Sequence, residues 1–285
     1  MTTPAEMLHR VPRHPHAWLW VLLLSQALVA LAWWQWGWRI GLPLMMATHL
    51  VFCWGVLWPQ SRFYGPVLTR LPIADKRVWL TIDDGPSDDT LAILDELDAH
   101  GAKATFFVVG KRAAARPELV REIARRGHTL GNHSATHPSA WFWMLPPRRM
   151  AREIADAQAT LQAISGHAPR WFRAVVGMAN PFVSAPLRMH GLARVAWNAR
   201  GFDAVEANAE RVVSRIERGL APGAIVLLHE GARHGRNVET IARLLQRMQL
   251  LGYGTVLPEA LEAGADPRVP EDSNVPEVPA THSPL

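Results

Sequence analysis

Residues 78–86 read Val-Trp-Leu-Thr-Ile-Asp-Asp-Gly-Pro, an apolar run that ends in two adjacent carboxylates and a Gly-Pro pair. The apolar part, Val78–Ile82, predicts a buried β-strand, and Gly85-Pro86 is typical of the turn that leaves such a strand. Neighbouring side chains at a strand end point in different directions, so one carboxylate can bind a metal ion while the other faces a substrate. By itself, the segment is more typical of an ordinary strand-to-helix turn.

The same alternation of apolar runs and amphipathic segments continues over residues 76–257, which we interpret as a single domain. Repeated strand–helix alternation predicts a parallel sheet or barrel of the α/β class, in which reactive residues collect where strands end. Strands are predicted at Val78–Ile82, Ala104–Val109, Thr129–Leu130, Trp171–Arg173, Arg194–Trp197, Ala224–Leu228 and Gly254–Leu257. Helices are predicted at Asp88–His100, Pro117–Arg126, Pro147–Ile164, Pro181–His190, Ala207–Gly219 and Val238–Leu251.

Two imidazoles stand four residues apart in His133-Ser134-Ala135-Thr136-His137. On a helical turn they would lie on one face, as a chelating pair requires. Two His and one carboxylate form a ligand set with open positions that suits Zn²⁺, Co²⁺ or Fe²⁺. With 13 His in the chain, an unrelated pair at this spacing is the competing interpretation.

Three further polar residues lie at or near strand ends. His229 follows the apolar run Ala224–Leu228 and is a candidate for proton transfer, because imidazole titrates near neutral pH. Arg173 ends the Trp171-Phe172 run, and Asp203 follows Trp197-Asn198 by a few residues. Each of them alone is a weak signal, since any could be a satisfied core residue.

In order along the chain, these segments resemble the five motifs of the NodB-homology polysaccharide deacetylases, also called carbohydrate esterase family 4. The resemblance covers roughly residues 76–257 and includes the context Gly127-His128-Thr129-Leu130-Gly131-Asn132 before the His pair. It implies a distorted (β/α) barrel of the NodB type and hydrolysis of an N-acyl group, most simply N-acetyl, on an amino sugar. It also implies a divalent metal, Zn²⁺ or Co²⁺ above others.

The resemblance implies a role for each matching residue. The residues that match the metal ligands are Asp84, His133 and His137, and those that match the catalytic and substrate positions are Asp83 (general base), His229 (general acid), Arg173 (orienting the base), Asp203 (tuning the acid), Val176 (backbone donor to the oxyanion) and Leu227 (apolar wall). Two motifs depart from the family pattern. Arg173-Ala174-Val175-Val176-Gly177 lacks the usual Pro pair, and Ala204 replaces a Trp after Asp203. Because the family's Trp lines the substrate pocket, the second change affects the predicted substrate more than the predicted reaction.

The N-terminal part of the chain is almost free of charge and rich in Trp. Residues 17–58 hold eight of the thirteen Trp and one charged residue, Arg39. The runs 17–38 and 40–58 are each long enough to cross a hydrocarbon core of about 30 Å as a helix. Their Trp residues fit interfacial belts, which predicts a transmembrane helical hairpin. A cleaved signal peptide ending at Ala30-Leu31-Ala32 and a buried soluble hairpin are the alternatives.

Charges around the two runs predict their orientation. Arg10 and Arg13 precede the first run, and Arg62 and Arg70 follow the second. The positive-inside rule therefore predicts that both ends face the cytoplasm of a bacterial inner membrane. If only one run spans, the domain lies on the periplasmic side instead. Membrane lipid is accordingly an expected partner, and protein partners cannot be inferred.

The remaining segments have distinct compositions. Residues 1–16 are a basic N-terminal segment, 59–75 are interpreted as a linker because of their Pro and Gly content, and 258–285, with a net charge of −5, are interpreted as a disordered acidic tail. The domain carries +7 but no basic stripe with interleaved aromatics, so we expect no nucleic acid partner. One Cys, Cys53, excludes an intrachain disulfide and a multi-Cys zinc site.

The leading hypothesis is thus a metal-dependent N-deacylase that acts on a carbohydrate or a lipid-linked sugar. An O-acetyl esterase of the same family is the alternative with the same chemistry. A membrane-tethered glycan-binding protein without activity would not need the full set of reactive residues. An Fe²⁺ oxygenase would use two His and one carboxylate but gives no reason for Asp83 or His229.

Overall fold

A curled parallel β-sheet forms the centre of the protein, in a computed structural model that describes residues 8–262. The strands are β1 (Arg77–Gly85), β2 (Ala104–Val108), β3 (Thr129–Asn132), β4 (Trp171–Phe172), β5 (Ala193–Arg194), β6 (Ala199–Arg200), β7 (Ile225–His229) and β8 (Gly254–Thr255). Their order is β5-β4-β3-β2-β1-β7-β6, and β8 pairs with the start of β1. The predicted distorted (β/α) barrel is confirmed.

Two helices precede the sheet in the chain, and the other helices mostly follow a strand and cover the outside of the sheet. They are α1 (Ala17–Trp36), α2 (Trp38–Leu57), α3 (Thr90–Ala99), α4 (Gly110–Ala115), α5 (Pro117–Arg125), α6 (Pro147–Ser165), α7 (Ser184–Met189), α8 (Ala209–Glu217), α9 (Asn237–Leu250) and α10 (Pro258–Glu262). Short 3₁₀ turns lie at Phe142–Met144 and Val175–Gly177. The predicted helices are all present, with ends that differ by a few residues, because capping and turn geometry decide the ends.

Alternation along β1 divides the core into two parts. Val78, Leu80 and Ile82 pack outward against the helices, whereas Trp79 belongs to an inner cluster. The indole Nε1 of Trp79 donates to Thr105 Oγ1 at 2.7 Å across the inside of the sheet. Because successive side chains of a strand point to opposite faces, Asp83 also points inward, directly above this cluster.

The segment 59–75 is packed against the barrel, which corrects its interpretation as a simple linker. Leu68 bridges to Val195 beside β5, and Arg70 bridges to Ala224 at the start of β7. Leu71 is buried in the inner cluster. The segment therefore fills the gap between the two sides of the open sheet, where backbone groups would otherwise lack partners. We call residues 59–75 the strap.

Three further details differ from the prediction. The sequence did not predict β6 or α4. Both are short elements without an apolar period of their own, and their formation depends on the elements packed beside them. The tail does not begin at residue 258, because α10 packs on the barrel and Glu259 accepts a hydrogen bond from Trp171 Nε1 at 2.6 Å. Residues 263–285 of the predicted tail, and 1–7 of the N-terminal segment, lie outside the described residues.

The helices α1 and α2 form an antiparallel hairpin that turns at Gly37. Gln26 Nε2 donates to Thr48 Oγ1 at 3.2 Å between them, and Gly41 lies directly under the ring of Trp33. Each helix has 20 residues, with mean hydropathies of 1.7 and 1.8, and most of their side chains are exposed. By length and composition, both are candidate membrane spans.

Candidate active site

The carboxyl ends of β1, β3, β4 and β7 meet at one mouth of the barrel. Asp83 is opposite Phe107 of β2 on one side and His229 of β7 on the other. Asn132, the last residue of β3, pairs with Phe172 of β4, so His133 and Arg173 leave the sheet side by side. In parallel α/β sheets this edge is where reactive side chains collect.

Asp83 is held by a fully buried guanidinium. Arg173 Nη1 donates to Asp83 Oδ1 and to Thr81 Oγ1, both at 2.7 Å, and its guanidinium lies over the ring of Phe107 at 4.2 Å. The Asp83 side chain is itself only 4% exposed. A carboxylate fixed in this way has one oxygen engaged by Arg173 and the other, Oδ2, directed toward His133 Nε2 at 3.8 Å.

Asp84 turns away from Asp83 because the strand bulges at this point. The register of β1 against β2 shifts between Asp83 and Gly85, and Asp84 has a φ of 72°. A positive φ is uncommon for a residue other than Gly, although Asp tolerates it better than most. The Arg112 side chain donates to the Asp84 carbonyl and holds this conformation. The two adjacent carboxylates therefore face different partners, as the sequence predicts.

His133 and His137 approach Asp84 from the loop after β3. His137 Nε2 lies 2.9 Å and His133 Nε2 lies 3.7 Å from Asp84 Oδ1. The expectation that the pair lies on a helical turn is wrong, because the loop is irregular and Ser134 and His137 have positive φ values of 69° and 53°. Ser134 Oγ accepts the backbone N–H of His137 at 3.0 Å, which closes the turn that brings the two rings together.

Two buried residues that the sequence did not single out support this loop. Glu153 of α6 accepts the N–H and the hydroxyl of Thr136, at 2.8 and 2.7 Å, between the two imidazoles. The amide of Asn132 donates to Ile154 O and accepts the N–H of Ser134 at 3.0 Å. No spacing rule connects Glu153 to the His pair, whereas Asn132 was visible only as context for the pair.

The residues Asp84, His133 and His137 fit a metal ion. One ligand atom from each lies within 4.8 Å of the others. Asp84 Oδ1 is buried and, within residues 8–262, has no well-aligned hydrogen-bond donor despite the nearby imidazole. The Nδ1 atom of His133 lies 2.9 Å from the Arg173 carbonyl, which directs Nε2 toward Asp84 as is typical of a metal-ligating His.

The pKa shifts of Asp84 and His133 also suit a cation. Burial alone raises the pKa of the Asp84 carboxyl, but the imidazoles of His137 and His133 beside it hold that pKa well below its usual range. Burial lowers the pKa of the His133 imidazole, against the opposing charges of Asp83 and Asp84. An ionised carboxylate and a neutral imidazole are the forms that bind a metal.

His229 and Asp203 form a separate pair on the other side of the mouth. Asp203 Oδ1 lies 2.9 Å from His229 Nδ1, and Oδ2 accepts the His229 backbone N–H at 2.6 Å. Burial by itself lowers the pKa of the His229 imidazole, but the charge and hydrogen bond of Asp203, which is 1% exposed, raise it to about 9. A His that keeps its proton near neutral pH can act as a proton donor.

Val176 and Leu227, the two residues predicted to contact the acyl group, differ in their exposure. Val176 is 51% exposed and has a φ of 55°, which is a strained conformation for a β-branched residue. Gly177 beside it packs against Trp197 and against Pro59 of the strap. Leu227 is 3% exposed and belongs to the inner cluster below the mouth. Their predicted roles remain predictions.

Glu230 is a third residue that the sequence did not single out. It is 1% exposed, and its Oε2 accepts the N–H and hydroxyl of Ser87 at 3.1 and 2.7 Å and the hydroxyl of Thr90. Burial raises the pKa of its carboxyl. A Cβ at Gly85 would overlap Glu230 Oε1, so Gly is required there. Glu230 thus fixes the loop that follows Asp83 and Asp84. In the sequence, only the position of Glu230 next to His229 could have indicated that it belongs to the site.

The chain is similar in sequence to a known family of proteins. The profile of the polysaccharide deacetylase family matches residues 71–195. A chitooligosaccharide deacetylase of Bradyrhizobium sp. (strain ANU 289) is 37% identical over 177 residues, which are 61% of this chain and 78% of the relative. The peptidoglycan-N-acetylglucosamine deacetylase PgdA of Listeria monocytogenes is 31% identical over 188 residues, which are 66% of this chain and 39% of the relative.

Solved structures point in the same direction. The crystal structure of the Bc1960 peptidoglycan N-acetylglucosamine deacetylase aligns with a TM-score of 0.63 and 27% sequence identity, covering 68% of this chain and 91% of that chain. The fold, the order of the motifs and the sequence identity to curated relatives lead to one conclusion: the chain belongs to the polysaccharide deacetylase family and is a hydrolase of that class.

Proposed function

We propose that the protein is a metal-dependent deacetylase that removes an N-acetyl group from an amino sugar of a glycan or a lipid-linked glycan at the membrane. The observation that carries the proposal is the arrangement of the mouth. A cluster of three ligand atoms, a carboxylate fixed by Arg173 and an imidazole paired with Asp203 meet at this one mouth. The relatives, a chitooligosaccharide deacetylase and a peptidoglycan-N-acetylglucosamine deacetylase, support this substrate class.

Asp84, His133 and His137 would hold the metal, with Zn²⁺ or Co²⁺ expected from this donor set. A divalent cation at this position supplies Lewis acidity and lowers the pKa of a water molecule. Asp83 lies outside this cluster of ligand atoms, and Arg173 engages only one of its two oxygens, Oδ1. Asp83 is therefore free for proton transfer, and Arg173 keeps its reactive oxygen in one position.

The other residues would act on the two ends of the amide bond. Asp83 accepts a proton from the attacking water, and the backbone N–H of Val176 donates to the oxygen on which negative charge develops. His229 then donates a proton to the nitrogen, because an amine leaves poorly unless it is protonated. The charge of Asp203 raises the pKa of His229, so the imidazole holds a proton that it can donate near neutral pH.

The membrane part of the proposal rests on the hairpin and the strap. Gln60 Nε2 donates to the Trp197 carbonyl at 2.6 Å, and Pro59 packs on Gly177, so the base of the hairpin joins the rim of the mouth. If α1 and α2 span the bilayer, the site faces its surface, where a lipid-linked sugar would be presented. By the positive-inside rule, the flanking Arg residues favour a cytoplasmic domain if both helices span, and the domain is periplasmic if only one does. In intact spheroplasts, digestion of the domain by external protease would exclude the cytoplasmic orientation.

A direct test is the release of acetate by the purified full chain with Zn²⁺ or Co²⁺. N-acetylated oligosaccharides and lipid-linked N-acetylated sugars should be tested side by side, together with an O-acetylated glycan. Release from an N-acetylated substrate that stops on chelation and returns with metal is the expected result. Release from the O-acetylated substrate alone would favour the esterase, and no release from any metal-loaded sample would favour a binding protein.

Glu153→Gln is expected to weaken metal affinity by about 10- to 100-fold. The carboxylate accepts two hydrogen bonds from Thr136, and an amide can accept only with its oxygen, so the loop that carries both His ligands would loosen. Competition with a chromophoric chelator measures the affinity. Asp156→Asn, on an exposed position of the same helix, is the matched control. Equal affinities of the two variants would show that Glu153 does not support the ligands.

Asp203→Asn is expected to move the alkaline limb of the pH profile of kcat/KM to lower pH by about one to two units. Asp203 raises the pKa of His229 to about 9, and the general acid is active only below that pKa. Removing the charge lowers the pKa, so activity disappears at a lower pH while the acid limb stays in place. Glu206→Gln removes a nearby carboxylate that pairs with Arg215 instead and should leave the profile unchanged. An unshifted limb in Asp203→Asn would mean that His229 does not set it.

A further inference from the structure

A large cavity lies at the base of the hairpin, away from the reactive residues. It has a volume of about 1090 Å³ and is lined by residues of the segment 9–18 on one side and by residues 62–66 of the strap on the other. Arg188 of α7 completes it and donates from Nη1 to the Arg13 carbonyl at 2.5 Å. Gly65 packs against Pro12 and Ser184, so both walls of the cavity are tied to the barrel.

The lining of the cavity is strongly basic. Arg10, Arg13, Arg62 and Arg188 all line it, and each has an exposed side chain. No carboxylate is among the lining residues, and none of these four guanidiniums takes part in an ion pair within residues 8–262. Four like charges around one cavity repel one another, and an anion bound between them would relieve that repulsion.

The position of the cavity corresponds to the surface of a bilayer that α1 and α2 would cross. Trp18, in the first turn of α1, lines the cavity and packs edge-on against Phe182 at 5.6 Å. Trp58 directly follows the end of α2 at the same end of the hairpin. Trp side chains are enriched at the level of lipid headgroups. At the opposite end of the hairpin, Arg39 is the only charged residue of the sequence 17–58.

The cavity also has an apolar side. Phe63, Tyr64 and Trp18 line it together with several Pro residues. A free phosphate ion needs neither this volume nor an apolar wall, whereas a phospholipid presents a charged headgroup followed by glycerol and acyl chains. The combination of guanidiniums and aromatic rings at headgroup depth therefore fits a lipid better than a small soluble anion.

We propose that this cavity, which we call the basic interfacial cavity, binds the phosphate headgroup of an anionic membrane phospholipid. Arg10, Arg13, Arg62 and Arg188 surround the phosphate, and Trp18 and Phe63 contact the apolar part of the lipid. The proposal rests on the membrane hairpin of the proposed function but not on the hydrolase chemistry. Lipid binding would hold the strap and the hairpin in a fixed position beside the mouth of the barrel.

The test uses the full chain in a neutral detergent, titrated with short-chain phosphatidylglycerol and, separately, with short-chain phosphatidylcholine. We expect tighter binding of phosphatidylglycerol, and a loss of about fivefold in affinity for each of Arg10→Gln and Arg62→Gln. Arg39→Gln, which removes the same charge at the other end of the hairpin, is the matched control and should bind as the unmodified chain does. Glycerol 3-phosphate and inorganic phosphate should bind much more weakly.

Several outcomes would overturn the proposal. Equal affinity for the two lipids, or an equal loss in Arg39→Gln, would mean that no specific headgroup site exists. Inorganic phosphate that binds as tightly as phosphatidylglycerol would make the cavity a simple anion site. Recovery of the chain as a soluble protein without detergent would refute the hairpin itself. A membrane-embedded, active enzyme without preference for phosphatidylglycerol would refute only the cavity assignment.

Discussion

Replacing Asp83 with Asn is expected to lower kcat for an N-acetylated substrate by about 10³-fold while the protein still binds a divalent cation. Asn has the same shape as Asp and keeps an oxygen for Arg173 Nη1, which lies 2.7 Å from Asp83 Oδ1. It cannot accept a proton from water. Since Asp84, His133 and His137 are unchanged, the metal affinity should stay within a few-fold of the original. Kinetics and metal titration on the same sample provide both measurements.

The control for this variant must account for the buried ion pair. Arg173 is fully buried and loses its charged partner in Asp83→Asn, and breaking such a pair costs roughly 3–5 kcal/mol of stability. The unfolding temperature should therefore be measured, and activity compared well below it. Asp88→Asn, at a 93% exposed side chain in the same loop region, provides a matched control for loss of one carboxylate.

A further variant separates proton transfer from structure. Asp83→Ala leaves space at the end of β1, and added formate should restore part of its activity in a saturable manner if the missing function is a base. Loss of metal together with activity would instead identify Asp83 as a ligand. An Asp83→Asn enzyme that keeps more than a tenth of its activity would show that the base is another group.

The sequence contains enough information to predict the central strand. The apolar run Val78–Ile82 predicts a buried strand, and the structure has β1 at Arg77–Gly85. Which of its side chains point inward becomes clear only once the sheet and its helices are in place, because both faces of this strand are apolar. The adjacent carboxylates also separate as expected, although the bulge that turns Asp84 depends on pairing with β2. The order of the motifs is therefore readable from the sequence, whereas the role of each residue comes from the resemblance to the polysaccharide deacetylase family.

The parts that could not be predicted depend on contacts between distant residues. Residues 59–75 contain the Pro and Gly of a flexible connection, yet Leu68 and Arg70 pair with the two sides of the sheet. Glu153 lies 17 residues from Thr136 in the sequence, and only the packing of α6 brings it to the ligand loop. The loop of His133 and His137 adopts positive φ values that favour no helix, so its geometry is decided by side-chain hydrogen bonds.

His229→Gln is expected to lower kcat by about 10²- to 10³-fold on an N-acetylated sugar but by less than about tenfold on an aryl acetate such as 4-nitrophenyl acetate. Gln can still donate an N–H to Asp203 Oδ1, as the imidazole does, but it carries no transferable proton. The amine of a sugar needs a proton to leave, whereas a nitrophenolate leaves without one. The ratio of the two losses therefore measures proton donation and is insensitive to a general loss of folded protein.

His167→Gln, at an exposed position after α6, is the matched control and should change neither rate.

The comparison of the two substrates also distinguishes His229 from the metal cluster. A variant of a metal ligand such as His137→Gln removes activation of the water, and this step is required for both substrates, so both rates should fall together. If His229→Gln lowers both rates equally, the imidazole stabilises developing charge or positions the substrate rather than donating a proton. A selective loss on the amide, together with the alkaline limb shifted in Asp203→Asn, would show that the pair acts as one proton-donating unit, since both results follow from the 2.9 Å contact between Asp203 Oδ1 and His229 Nδ1.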